Sequence, residues 1–308
     1  MTDELKTIID FIRFGASRFA AAGLTFGHGH DNALDEATQL TLHALHLPHD
    51  LKPAYGQARL VADEKREVLH LFERRIRERR PACYLTGEAW FAGLSFKCDE
   101  RALVPRSPIA ELIEQGYEPW RSGRPLGRVL ALCTGGGCIA IATAHHLPEA
   151  QVDGVDISAK ALSLARENAE RLLVGDRVRF IESDLFSALE GEVYDLIVTN
   201  PPYVTHAEVD ALPEEYRFEP ENGLRAGEDG LDLALQILAA APKHLNEGGF
   251  LICEVGESER ALVELLPQVP FNWIEFQVGQ MGVFQVERED LLTWHLEIEA
   301  LAAERRAR

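Results

Sequence analysis

The sequence predicts an α/β fold: a Rossmann-like, doubly wound sheet of about seven strands, with a small N-terminal helical domain in front of it. Three observations predict this. From about residue 128 onward, short apolar runs alternate with segments of helical periodicity. A glycine-rich turn joins the first of those runs to the helix after it. The first eighty residues, by contrast, carry helical spacing alone, and 308 residues suffice for one sizeable core and a smaller one.

The elements follow in order. Leu5, Ile8, Ile9, Ile12 and Phe19 mark a first helix, and a second follows Asn32 through Leu34, Ala37, Leu40, Ala44 and Leu45. A third runs from about Gln57 to Arg79, with the stripe Val61, Val68, Leu69, Phe72 and Ile76. These stripes need partners, so residues 1–82 are expected to form a helical bundle that Pro81 ends. Residues 83–106 read as a hairpin linker, with Trp90, Leu94, Phe96 and Leu103 at its apolar positions and Gly93 at its turn.

Residues 107–308 read as the α/β domain. Ser107 is placed to cap a helix whose first turn holds Pro108 and Glu111, and a loop from Arg121 to Gly127 closes it. The strands are expected in RVLALCT (128–134), QVDGVDI (151–157), RVRFI (177–181), YDLIVTN (194–200), FLICEV (250–255), WIEFQV (273–278) and GVFQVE (282–287). Helices start at Cys138, run through Leu162 and Ala165, and span about Leu231 to Leu245. A last helix is expected over about 290–308, with Leu292, Leu296 and Ile298 at its apolar positions.

Composition narrows the function. A net charge of −19 opposes a polyphosphate partner, so stable DNA binding is not expected. The basic run from Lys65 to Arg80 is interleaved with glutamates and reads as a solvated helix face. No apolar run is long enough to cross a bilayer, and the first residues lack the pattern of a secretory signal, so a cytoplasmic protein is expected. The five cysteines, Cys83, Cys98, Cys133, Cys138 and Cys253, form no C-x-x-C pair and are expected to be reduced and mostly buried. Histidines cluster at 28 and 30, at 43, 46 and 49, and at 145 and 146, but without Cys or carboxylate partners at metal spacing; no metal is expected.

Four features carry chemistry. Thr134-Gly135-Gly136-Gly137 lies between a strand and a helix, where absent side chains let a ligand approach the backbone; dinucleotides and S-adenosylmethionine both bind such turns, and a merely structural turn uses them too. About 20 residues on, Asp156 ends the next strand, placed either to accept from two ribose hydroxyls or to cap the following helix. Asp184, in Ser183-Asp184-Leu185-Phe186, follows the third strand at the ligand-binding edge and is placed to accept from an adenine amino group.

The fourth feature, Asn200-Pro201-Pro202-Tyr203, ends a strand with two residues that cannot donate a backbone hydrogen bond. Rigidity is the gain. The Asn200 side-chain oxygen and a backbone carbonyl can both accept from one NH₂ group while Tyr203 supplies a flat face. That suits methylation of a conjugated nitrogen, whose delocalised lone pair must leave the plane before it attacks a methyl sulfonium. A proline-rich turn that merely ends a strand leaves unexplained why the glycine turn, Asp156 and Asp184 precede it in this order.

With these marks the chain resembles the N5-glutamine methyltransferases over nearly its whole length. The stretches LVPRSPIAELI (103–113), CTGGGCIAIA (133–142) and EYRFEPENGLRAGEDGLD (215–232) are similar to the branch that acts on ribosomal protein L-three, more so than to the release-factor branch. The resemblance implies a class I methyltransferase sheet and S-adenosylmethionine as methyl donor, contacted by Thr134, Gly135, Gly137, Asp156, Asp184 and Asn200. It implies that Asn200, Pro201, Pro202 and Tyr203 hold the glutamine amide and that the helical domain chooses the protein substrate; Arg106 is placed either to line the substrate channel or to lie on the surface beside a proline turn. Two positions depart from the family pattern: Ala131 stands where an acid is usual and Gly136 where a serine is. Glu254, in EVG, falls near the active edge, with a structural hydrogen bond as its alternative role.

Three other readings remain to be set against this. An adenine-N6 nucleic-acid methyltransferase would use the same clamp on an exocyclic amine but needs to grip a phosphate backbone and extrude a base. A non-catalytic binding module would have no use for Asn200 and Tyr203, and hydride chemistry uses the glycine turn but not the clamp.

Overall fold

The computed structural model describes residues 4–277 and 282–307. The chain forms two compact units: one of Met1–Ala89, Cys98–Glu100 and Pro213–Phe218, the other of Trp90–Lys97, Arg101–Leu212 and Glu219–Arg308.

The first unit is helical. Thr7 caps α1 (Ile8–Ala21) in a reciprocal box with Asp10, and the Asn32 side chain accepts from the amides of Leu34 and Asp35 at the start of α2 (Ala33–Ala44). Phe11, Phe19, Leu40, Val68 and Phe72 are buried between these helices and α3 (Ala62–Glu78). Phe19 meets Phe72 edge-on at 5.2 Å, and Gly15 admits the Phe72 ring, which a Cβ there would meet at 2.5 Å.

The third helix starts later than its spacing predicts. Ile8 N donates to Ala58 O and Leu60 N to Lys6 O, so residues 58–60 are held extended after a separate turn at Pro53–Gln57. Val61, expected in the apolar stripe, is exposed as a result. The basic run is not one solvated face either. Arg75 is wholly buried, 2.7 Å from Glu36, while Arg79 reaches Glu215 at 2.7 Å and Arg80 reaches Glu100 at 2.6 Å.

Those ion pairs also redraw the division of the chain. The expected boundary at residue 82 moves to 89, because α4 (Ala82–Thr86) buries Ala82, Cys83 and Tyr84. Pro213–Phe218, expected within 107–308, belongs to the helical unit: Glu215 accepts from Thr25 N at 3.0 Å, and the Tyr216 ring lies 4.3 Å from that of His28. The linker keeps its hairpin, β1 (Glu88–Phe91) with β2 (Leu94–Lys97), turned by Ala92 and Gly93, both at positive φ.

The second unit is built on a seven-stranded sheet in the order β5-β4-β3-β6-β7-β9-β8. β3 (Arg128–Leu132), β4 (Gln151–Asp156), β5 (Val178–Glu182), β6 (Tyr194–Thr199) and β7 (Leu245–Glu254) are parallel. β9 (Val283–Glu287) and β8 (Asn272–Trp273) run antiparallel beside them. Both faces of the sheet are covered, which explains the unbroken apolar runs: Val129, Ala131, Val198 and Ile252 belong to one core, Leu130, Leu132, Ile197 and Leu251 to the other.

Two elements are shorter than their sequence pattern. WIEFQV contributes only Trp273 to β8, and its Val278 lies outside the described residues. The last helix is two, Arg288–Thr293 and His295–Arg306, joined at Trp294; Leu291, Ile298 and Ala302 are buried, whereas Leu292 and Leu296 are exposed. Arg308, the expected end of that helix, lies outside the described residues. No described helix is long and apolar enough to cross a membrane.

Candidate active site

The sheet order reverses at β3, which has β4 on one side and β6 on the other, and ligands of such sheets bind at the carboxyl ends of the strands beside that reversal. In the register Leu132 pairs with Val155 and Thr199, and Thr199 with Cys253. The segments that follow, Cys133 to Gly137, Asp156, Asn200 to Tyr203, and Glu254, therefore share one edge.

The glycine turn is pinned from below. Thr134 N donates to Val155 O at 2.9 Å and Gly137 N to Thr134 O at 2.8 Å. Gly137 caps α6 (Cys138–His146) at φ 85°, and a Cβ there would lie 2.9 Å from Ala165 and Ile141, so no side chain fits. Gly135, at φ 54°, is open on its ligand-facing side of the turn, the nearest atom to a Cβ being Ala102 at 3.9 Å. The Thr134 hydroxyl is buried without a hydrogen-bond partner among the described residues.

Asp156 does two things. Its Oδ2 accepts from Gly135 N at 2.8 Å and its Oδ1 from Ser158 N at 2.9 Å, bracing the turn. The cap of α7 (Ala159–Arg171) is Ser158, whose Oγ accepts from Ala161 N at 3.2 Å. A carboxylate has about four acceptor positions, so Asp156 keeps acceptor capacity for a ligand. Burial raises its pKa, against the pull of the backbone donors.

Asp184 is exposed just beyond β5, in a loop fixed by Ser183 Oγ, which accepts from Ala188 N at 2.9 Å, and by Phe186, stacked on His244 at 4.6 Å. Ile157, next to Asp156, is 61% exposed, an apolar surface that sequence reasoning missed. Ala131 is fully buried in the apolar core, so its position offers a ligand no polar group. Cys133 and Cys253 thiols are pushed up by burial, Cys133 to about 12, which rules them out as neutral-pH nucleophiles.

The clamp follows β6. Thr199 Oγ1 donates to Leu132 O at 3.1 Å, tying the strand end to β3. Asn200 is half-buried, and its side-chain amide makes no hydrogen bond among the described residues. Pro201 is buried and Pro202 half-buried. Tyr203 Oη donates to Glu254 Oε1 at 2.8 Å, and its ring lies so close to Gly256 that a Cβ there would meet it at 2.6 Å. Beyond it, Val204 N donates to Leu224 O and Ala226 N to Val204 O, both at 2.9 Å, anchoring the loop.

Glu254 is buried at the edge where its place in EVG put it, and it makes side-chain hydrogen bonds there. Its Oε2 accepts from Ser107 Oγ at 2.5 Å, and burial raises its pKa, opposed by Ser107, Tyr203 and the Arg106 charge. Ser107 Oγ in turn accepts from Ile109 N at 3.2 Å at the start of α5 (Ile109–Glu114), although the N-cap position itself, expected at Ser107, falls one residue later on Pro108. Arg106 does not present an open guanidinium: both terminal nitrogens lie 2.8 Å from the buried Glu219 carboxylate, which also accepts from Val104 N at 3.0 Å. Among the described residues no group of His, Cys, Asp and Glu is arranged to hold a metal.

The methyltransferase small domain family matches residues 121–215, the span that holds the glycine turn, Asp156, Asp184 and the clamp. A ribosomal protein uL3 glutamine methyltransferase of Xanthomonas campestris pv. campestris is 67% identical over 303 residues, covering 98% of each chain. A protein of the same description from Xylella fastidiosa is also 67% identical, covering 98% of this chain and 97% of its own. The chain belongs to the uL3 glutamine methyltransferase family. A solved methyltransferase structure from Pyrococcus furiosus aligns with TM-score 0.45 at 19% identity, over 64% of this chain and 89% of that one.

As a member of the family, the chain is a methyltransferase with S-adenosylmethionine as its methyl donor. The sheet edge fits that donor on its own geometry. A buried unpartnered hydroxyl at Thr134, spare acceptor positions on Asp156 and an open backbone at Gly135 lie beside the clamp.

Proposed function

We infer that this enzyme transfers a methyl group from S-adenosylmethionine to the side-chain amide nitrogen of a glutamine in ribosomal protein uL3, in the cytoplasm, with the helical unit selecting the protein substrate. The observation that carries the reading is Asn200: an amide held between a pinned strand end and two prolines, with its own hydrogen-bonding capacity unspent among the described residues.

Thr134, Gly135 and Gly137 would cradle the methionine end of the donor, Asp156 the ribose hydroxyls, and Asp184 the adenine amino group, with Ile157 against the purine face. S-adenosylmethionine, when bound, supplies an electrophilic methyl group on a cationic sulfur. The Asn200 oxygen and the Pro201 carbonyl accept the two N–H bonds of the substrate amide, and the Pro201-Pro202 pair keeps those acceptors from turning away. Tyr203 supports the amide plane while the nitrogen lone pair leaves conjugation. Once methylated, the nitrogen is cationic and gives up one proton readily, so no strong general base is needed. Arg106 serves the substrate through Glu219, by fixing the backbone from Val104 to Ser107. The charge of −19 supports a protein substrate over DNA.

The test is transfer of labelled methyl from S-adenosylmethionine into purified uL3, a release factor and duplex DNA, with wild type and Asn200→Ala. Label should enter uL3 alone and fall by about 10²- to 10³-fold in the variant, the loss typical of one preorganised hydrogen-bonding group. Label in the release factor or DNA instead would overturn the substrate assignment.

A further inference from the structure

We propose that Glu254 is a positioning residue for the methyl transfer, fixing the Tyr203 ring in place by tying its hydroxyl to Ser107 beside the start of α5. This rests on the reading of Tyr203 as one wall of the amide clamp.

A carboxylate only 4% exposed is costly unless its oxygens are satisfied, and Glu254 satisfies them one apiece: Oε1 takes the Tyr203 hydroxyl at 2.8 Å, Oε2 the Ser107 hydroxyl at 2.5 Å. Ser107 is itself fixed, since its Oγ accepts from Ile109 N at the start of α5, and the residue before it, Arg106, is locked on Glu219. Glu254 ends β7, whose Cys253 pairs with Thr199, so its carboxylate stands beside the strand end that carries Asn200. Two consequences follow. The Tyr203 hydroxyl is committed to the protein interior, which leaves the ring, not the phenol, for the substrate. Gly256 bounds that ring on one side, and Glu254 anchors its hydroxyl end.

Removing the carboxylate should then disturb the orientation of the amide without touching the donor site. For Glu254→Ala we expect kcat on uL3 to fall about 10- to 100-fold, the range for losing a hydrogen bond to a charged group, with the Kd for S-adenosylmethionine unchanged within about twofold by calorimetry. Glu254→Gln can still accept from Tyr203 and donate to Ser107, and should recover most of the rate. Tyr203→Phe keeps the ring but loses the tie. In that background Glu254→Ala should cost no more than about twofold further, because both changes cut the same link.

Equal losses from Glu254→Ala in the wild-type and Tyr203→Phe backgrounds would overturn the proposal, as would a Glu254→Gln enzyme no faster than Glu254→Ala. Loss of donor binding in both Glu254 variants would also overturn it, by showing a general packing role. Wild-type transfer to uL3 in the same assay separates these outcomes from failure of the substrate reading itself.

Discussion

Two aspartates on one strand, three residues apart, have opposite surroundings. Asp153, toward the amino end of β4, accepts from Arg179 Nε at 2.8 Å and Nη2 at 2.7 Å, from Arg128 at 3.2 Å and from Tyr194 Oη at 2.8 Å. Three of those bonds fall on Oδ2 and one on Oδ1, and all four come from side chains. Asp156, at the carboxyl end, accepts from two backbone amides and no side chain. The amino edge of the sheet is closed on itself, with Glu192 bridging the same two arginines, whereas the carboxyl edge keeps acceptors in reserve. A saturated charge cluster holds a fold together; an unsaturated one waits for a ligand.

The comparison breaks most visibly at Asp156. Asp156→Ala should weaken S-adenosylmethionine binding about 100-fold by calorimetry, since hydrogen bonds to a charged group contribute roughly 1.5–3 kcal/mol each. An unchanged Kd would mean that the spare acceptor positions are not used. Asp153→Ala should leave that Kd alone and lower unfolding stability by about 1–3 kcal/mol in denaturant, chiefly through the buried Tyr194 hydroxyl, because the two arginines can turn to water. A matching loss of donor affinity would erase the distinction between the two edges.

The smallest effect is one of pH. Burial raises the Asp156 pKa, and ribose hydroxyls donate best to the ionised carboxylate, so donor affinity should weaken as pH falls through that raised value and be restored above it. Titrating the Kd of wild type against Asp156→Asn checks the sign: the variant should be flat where wild type bends.

The sheet and the clamp were legible because each is local. Apolar runs covered on both faces announce parallel strands, and Gly135, Gly137, Asn200 and Tyr203 sit where a turn or a rigid exit demands them. What stayed hidden depends on partners far along the chain. Glu254 gains its meaning from Ser107, 147 positions away, and Arg106 from Glu219, 113 positions away. Neither spacing leaves a periodicity to read. The same holds for Pro213–Phe218, placed in the helical unit by Glu215 and Tyr216, and for Arg75, whose burial no count of basic residues in its helix could reveal. The break at Trp294 and the two-residue β8 are tertiary choices imposed on sequences that would allow longer elements.

The insertion of Pro213–Phe218 among the helices has a consequence for modularity. An engineer who wished to exchange the helical unit could not do so with one junction at residue 89. The graft would have to carry three separate stretches, and a two-stretch graft would strip Arg75 and Arg79 of the Glu215 carboxylate they share. Shuffling of gene segments faces the same obstacle, because one stretch of the helical unit follows Asn200 to Tyr203 in the chain.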